Sequence, residues 1–338
     1  MLGFLRNHPI LCLAILTPGI PEYLSTSSSL LSIVDNPAWF VLQLAINVGQ
    51  YTAGALLIRE AILRWHKGWG SLFLLGLAYG ITEEGLGDNT LFNSNRGADG
   101  FLGSFGRFEG VNWVWSTGVL SFHVIYSIGL PILLLALALP QTRGTSLIAG
   151  RGIAVCFTTL LASTSLEAVI VYRAFHFWMG FALLAGAIIV ITVLVLAAYF
   201  LPRDAWRPAT EPPHLSAFGA GVCGFAVFPV LFTLEYLVPD TGVPPGPIIA
   251  AEVVFLMIVL EALRRTVGRN RNEYVLVNLA YGFILWQAVF GMLLTLPILY
   301  TLPIVALAVW FFTRLRRAYA PGQNPIPPDG ARGVPASF

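Results

Sequence analysis

Long apolar stretches alternate with short polar ones along nearly the whole chain. An apolar run of roughly 17–25 residues crosses a bilayer as one helix. Ten such runs are legible, at 9–24, 39–63, 69–87, 112–139, 152–172, 176–201, 216–238, 247–263, 274–296 and 298–314. Together they predict an all-α fold, a polytopic membrane helix bundle of about ten transmembrane helices. The expected organisation is a single transmembrane domain over 1–320, followed by a disordered cytoplasmic tail over 321–338, where Pro and Gly dominate.

Basic residues set the expected orientation, because cytoplasmic loops collect Lys and Arg. With the N-terminus inside, sixteen of the 19 Lys and Arg fall on the inner side, and only Arg96, Arg107 and Arg173 fall outside. This predicts a multi-pass plasma (inner) membrane protein with both termini cytoplasmic. The first run, interrupted by Pro18 and Pro21 and preceded by Arg6, has some features of a signal peptide. Cleaving it would destroy the charge bias, so it is read as a span.

Short matches recur in order along the chain. Glu22-Tyr23-Leu24 returns as Glu235-Tyr236-Leu237, and Glu60-Ala61 as Glu261-Ala262. Leu77-Ala78-Tyr79-Gly80 returns as Leu279-Ala280-Tyr281-Gly282, and Leu130-Pro131-Ile132 as Leu302-Pro303-Ile304. They predict a parallel duplication of spans 1–4 (9–139) as spans 7–10 (216–314), with an inserted hairpin at 152–201. The first run is then the counterpart of the seventh, a second reason to keep it in the fold.

Composition sharpens this picture. Hydrophobic residues make up 57% and charged residues 11% of the 338, whereas soluble proteins carry about 25% charged residues. The lipid bilayer is therefore the first expected partner. A net charge of +2 without a basic, aromatic-interleaved patch argues against nucleic acid. Cys12, Cys156 and Cys223 lie in apolar runs without metal or disulfide spacing and read as packing residues.

An ionisable side chain at membrane depth costs roughly 2.5–3.5 kcal/mol on insertion scales, so its presence calls for a reason. The candidates are Glu22, Glu83, Glu84, Glu167, His123, His176, Glu235 and Glu252, with Arg173 at the same level to neutralise a carboxylate. The Glu83-Glu84 pair is the sharpest feature. Adjacent helix positions diverge by about 100°, so one acid is expected to face the bundle centre and the other a neighbouring helix. If span 3 stays helical to Phe92, Glu83 reaches the depth of His123 on span 4, where the two would share a buried water or metal ion. The second half has Leu285, Trp286 and Thr295 at the equivalent positions, so the frame repeats and the polar set does not. Glu22 and Glu235 occur in both halves, which suggests a packing or helix-end role. For His123 the plainer alternative is a hydrogen bond to Tyr126 or Ser127.

Gly80-Ile81-Thr82-Glu83-Glu84, followed by Leu91-Phe92, resembles the first motif of the CPBP family, the CAAX-prenyl endopeptidases and bacteriocin-processing or immunity membrane proteins. The resemblance implies an intramembrane protease in which a glutamate activates water and histidines assist. By position, Glu83 and Glu84 match the glutamate pair, His123 the second motif and His176 the third. These four are the expected catalytic residues, with Glu84, His123 and His176 as ligands for a divalent metal such as zinc. Asp88 stands where the family has arginine, Val119 where it has Phe, and Gly180 where it has Asn.

Three functions are compatible with this reading. The first is a protease-like hydrolase acting on a membrane peptide or protein substrate, with the outward loop 88–111 as a lid. The second is a secondary transporter, with a proton or cation site between parallel repeats and Asn47, Gln50, Asn278 and Gln287 along the path. The third is a non-catalytic scaffold or immunity protein.

Overall fold

The computed structural model of the protein describes residues 7–30, 32–95, 103–206, 215–267, 273–294 and 302–320. The expected tail over 321–338 and Thr295 lie outside the described residues. The fold is an all-α polytopic bundle. Apart from the single turn Ser32–Asp35, its α-helices among the described residues are α1 (Pro9–Pro18), α2 (Pro37–Arg64), α3 (Trp69–Gly80), α4 (Trp113–Phe122), α5 (Leu130–Ala138), α6 (Gly150–Phe175), α7 (Gly180–Phe200), α8 (Ala217–Phe232), α9 (Pro245–Val267), α10 (Glu273–Leu294) and α11 (Leu302–Ala318).

Among the described residues, seven helical segments are long and apolar enough to cross a membrane. They are α2, the continuous Trp113–Ala138, α6, α7, α8 extended to Leu237, α9 and α10. Expected spans 1, 3 and 10 correspond to shorter helices. The loop between α3 and α4 ends in a two-stranded hairpin, β1 (Arg107–Phe108) with β2 (Val111–Asn112). Arg107 ties that hairpin down by donating to the carbonyls of Phe92 at 2.7 Å and Gly103 at 3.0 Å.

Four helices pass through wide π turns: Gly19–Leu24 after α1, Ile81–Gly87 after α3, His123–Gly129 after α4 and Thr233–Leu237 after α8. π turns are rare and gather at functional sites. Pro18 and Pro21 explain the first, and Pro229, four residues ahead of Thr233, the last, because proline removes a helix N–H and crowds the preceding turn. These two turns carry Glu22-Tyr23-Leu24 and Glu235-Tyr236-Leu237, the repeated tripeptides. The expected helix to Phe92 is not formed. It ends at Gly87, and Asn89 adopts a left-handed conformation (φ 61°).

Basic side chains gather helix ends on one side of the bundle. Buried Arg59 donates to the carbonyls of Thr142 (2.6 Å) and Thr145 (2.9 Å), and it pairs with Glu60 at 3.3 Å. Lys67 donates to Leu201 O at 2.9 Å. Arg143 pairs with Glu273 at 2.5 Å. This brings the ends of α2, α5 and α7 and the start of α10 together. Arg59→Ala is expected to strand the carbonyls of Thr142 and Thr145, while Glu60 keeps Arg64, Ser146 and Leu147, and to lower stability by about 1–3 kcal/mol; a thermal unfolding midpoint unchanged in detergent would contradict it.

Glycines set the closest helix contacts. A Cβ on Gly282 of α10 would strike the Gly221 carbonyl of α8, and one on Gly224 would strike the Leu279 carbonyl. The two backbones therefore touch, as small residues allow in membranes. On α3, Gly76 and Gly80 play the same part toward α4: a Gly80 Cβ would sit 3.2 Å from His123 Cβ. The pair α6–α7 packs on α2 and α3 and turns most of its surface outward. The two sides of the bundle meet where Tyr126 donates to Phe283 O (3.0 Å) and stacks near Phe228, 4.7 Å between centroids.

Candidate functional site

The π turns of α3 and α4 face each other and bring Glu83, Glu84 and His123 together. Each offers one ligand atom, and those atoms lie within 4.8 Å of one another, all buried. His123 Nε2 stands 3.0 Å from Glu83 Oε2 and 2.9 Å from Glu84 Oε1. Both acids thus reach one imidazole nitrogen, where divergent directions were expected. The π turn explains the difference, because its wider i→i+5 coil lets consecutive side chains point closer together than in an α-helix.

Each member is held from behind. Ser127 Oγ lies 3.0 Å from His123 Nδ1, one turn along α4. Thr90 bonds Glu84 Oε2 and in turn accepts from Trp115 Nε1 at 3.0 Å. Tyr51 donates to Glu83 Oε1 at 3.2 Å and lies 2.5 Å from Glu22 Oε1, while Ser28 Oγ donates to Glu22 Oε2 at 2.7 Å. Gln43 and Asn47 close this end, each donating to Ser28 Oγ at 3.1 Å. A continuous polar chain therefore runs from Ser28 through Glu22, Tyr51, Glu83, His123 and Glu84 to Thr90.

One atom in this chain stands apart. Among the described residues no hydrogen bond reaches Glu83 Oε2, although it is buried. A single Nε2 proton aimed at Glu84 cannot also bond Glu83 well. An unsatisfied buried carboxylate oxygen is costly and calls for a proton, a water or a cation. The oxygen belongs to a residue on the wall of a cavity of about 850 Å³ that is also lined by Glu84, His123, Glu235 and Gln287. The cavity opens between the α1–α4 side of the bundle and α8 and α10.

Tyr51 is the coupling residue that the sequence did not single out. Tyr51→Phe is expected to remove the hydroxyl that lies between Glu22 and Glu83, leaving one of them short of a donor, and to cost about 1–3 kcal/mol. An unchanged unfolding midpoint for purified Tyr51→Phe protein would contradict the placement. Glu22, expected in a packing or helix-end role, belongs to this chain. Glu167 sits beside it, accepting from Gln50 at 3.1 Å and lying over Gly87.

His176 is placed elsewhere. It caps the exposed end of α6 in a left-handed conformation (φ 51°), with its ring against Tyr172, and takes no part in the cluster. Arg173 is exposed on the same turn. Glu60 and Glu261 sit in arginine pairs at helix ends. Asn47 and Gln287 line the cavity, and Asn278 instead donates to Tyr274 O at 2.7 Å.

Neither the curated proteins nor the solved structures contain a match to this chain. A family model does match, over residues 11–317, nearly the whole of the described bundle. The chain belongs to that family, an uncharacterized membrane protein family.

Proposed function

We propose that Glu83, Glu84 and His123 are the water-activating centre of a membrane-embedded hydrolase that cleaves an amide bond in a membrane peptide or protein. The observation that carries the reading is the pairing of His123 Nε2 with both carboxylates, with Glu83 Oε2 left without a hydrogen bond at the cavity wall. The resemblance of Gly80–Glu84 to the first CPBP motif supports the same chemistry.

In this reading Glu83 is the base. A cavity water gives a proton to Glu83 Oε2, and its oxygen forms a bond to the substrate carbonyl carbon. The C–N bond then breaks, and His123 delivers a proton to the leaving nitrogen. Glu84 is a positioning residue. Fixed by Thr90, it orients the imidazole much as the acid of a triad does. Gln287 supports the substrate carbonyl, since its buried amide nitrogen lines the cavity and has no hydrogen bond among the described residues. His176 is not used, and the excess of basic residues in the opposite loops favours a reaction on the outer side.

The donor set fits a divalent cation. One imidazole and two carboxylates are a three-ligand set of the kind that catalytic zinc sites use, and Glu83 Oε2 has no hydrogen bond of good geometry beside its 3.0 Å approach to His123 Nε2. Bound there, such an ion would polarise a water and lower its pKa to about 7. The test is metal content and peptide cleavage by purified protein and by Glu84→Gln. Equal behaviour of the two would overturn the reading.

The unbroken polar chain from Ser28 to Thr90 favours a second reading, a proton-coupled transporter. Proton-gradient-dependent uptake in proteoliposomes, with no cleavage, would select it.

A further inference from the structure

The cavity has a second acidic end that the hydrolase reading does not use. Glu235, on the π turn after α8, lines the cavity and is 6% exposed. It lies over Gly118 of α4, where any Cβ would overlap its carboxylate, so a glycine is what makes the placement possible. Glu252 of α9 is fully buried nearby, within electrostatic reach. α9 turns most of its residues outward and this one carboxylate inward.

Among the described residues no cation pairs with either acid: Glu235 Oε1 has no hydrogen bond, Glu252 has only the Thr117 hydroxyl within reach, whose own proton goes to Trp113 O, and neither side chain is in a salt bridge. Two buried carboxyl groups in this state need a positive charge or a proton between them. The wall beside Glu235 is aromatic. Phe232 stacks on Tyr236 at 4.6 Å, Trp286 packs near Phe290 at 5.9 Å, and Phe232 to Trp286 is 6.5 Å. All four rings line the same cavity. A carboxylate beside aromatic rings suits an organic cation, which gains from the ring faces as well as from the charge. A small hydrated ion would gain only from the charge.

We propose that the Glu235 end of the cavity is a binding subsite for an organic cation, a primary ammonium or guanidinium group carried on an apolar stem. It stands whether or not Glu83, Glu84 and His123 hydrolyse a bond. If they do, it selects substrates with a positive group at that distance along the cavity.

The test is calorimetric titration of butylammonium, with sodium as the control, into purified full-length protein in nanodiscs. Binding by the parent is expected to weaken at least about tenfold in Glu235→Gln, roughly 1.4 kcal/mol, and to persist in Glu84→Gln. Trp286→Leu, which keeps the acid and changes a half-buried ring, is expected to weaken it too, and serves if Glu235→Gln does not fold. No binding by the parent, equal binding by Glu235→Gln and Trp286→Leu, loss in Glu84→Gln alone, or displacement by equimolar sodium would each overturn the proposal. Absence of peptide cleavage alongside retained butylammonium binding would overturn the hydrolase reading alone.

Discussion

Glu83→Gln is expected to reduce hydrolysis by about 10²–10⁴-fold, the usual contribution of a positioned base, while the protein still purifies as a folded bundle. The amide keeps the volume and the bond from Tyr51 to Oε1, so the polar chain loses little of its packing. What it loses is the basic oxygen at Oε2. Glu84→Gln should act through a different step. Its oxygen holds His123 at 2.9 Å and is itself held by Thr90, so loss of the charge should disorient the imidazole and lower turnover with little change in KM. Single-turnover cleavage of a membrane peptide by both variants checks this. A Glu83→Gln protein with parental turnover would exclude Glu83 as the base.

Gly282→Val is expected to have the largest effect on the fold. Its side chain would enter the space of the Gly221 carbonyl and the Phe225 N–H, which belong to the backbone of α8 and cannot swing away as a side chain can. Overpacking of this kind costs about 1–3 kcal/mol or more, and here it would push α8 from α10 along their shared seam. Because Phe228, Phe232 and Glu235 of that segment line the cavity with Trp286 and Gln287, the substitution should also weaken ligand binding. A melting profile in detergent like that of the parent would contradict the backbone contact. By comparison, Gly186 of α7 meets nothing within 4 Å at its Cβ position, so Gly186→Val should leave the profile unchanged.

Much of this architecture was legible in the sequence, because bilayer thickness fixes span length and burial cost marks ionisable residues. Each of the ten apolar runs holds a helix among the described residues, and seven of these helical segments are long and apolar enough to cross a membrane. Glu83, Glu84 and His123 were legible as a set because no soluble environment excuses them at that depth. The shared contact to one nitrogen was not. It depends on the π turns that carry the three side chains and on the close approach of Gly76 and Gly80 to Val124 and His123, which no period in the sequence reports. Tyr51 was hidden for a related reason: a tyrosine in an apolar run reads as packing, and only its hydroxyl between two carboxylates marks it as polar. His176 was singled out by motif position. The structure sets it on an exposed helix end, where Gly180 in the left-handed region (φ 81°) starts the next helix. Glu235 was expected in a packing or helix-end role because its tripeptide repeats; it lines the cavity, with its carboxylate on Gly118 and a second buried acid nearby.

The most direct test is cleavage of a membrane-embedded peptide by purified protein in nanodiscs made up in heavy-oxygen water. The account predicts cleavage products whose new carboxylate carries the heavy isotope, formed by the parent and absent with His123→Ala. Intact peptide after prolonged incubation with the folded parent, or equal products from His123→Ala, would contradict it.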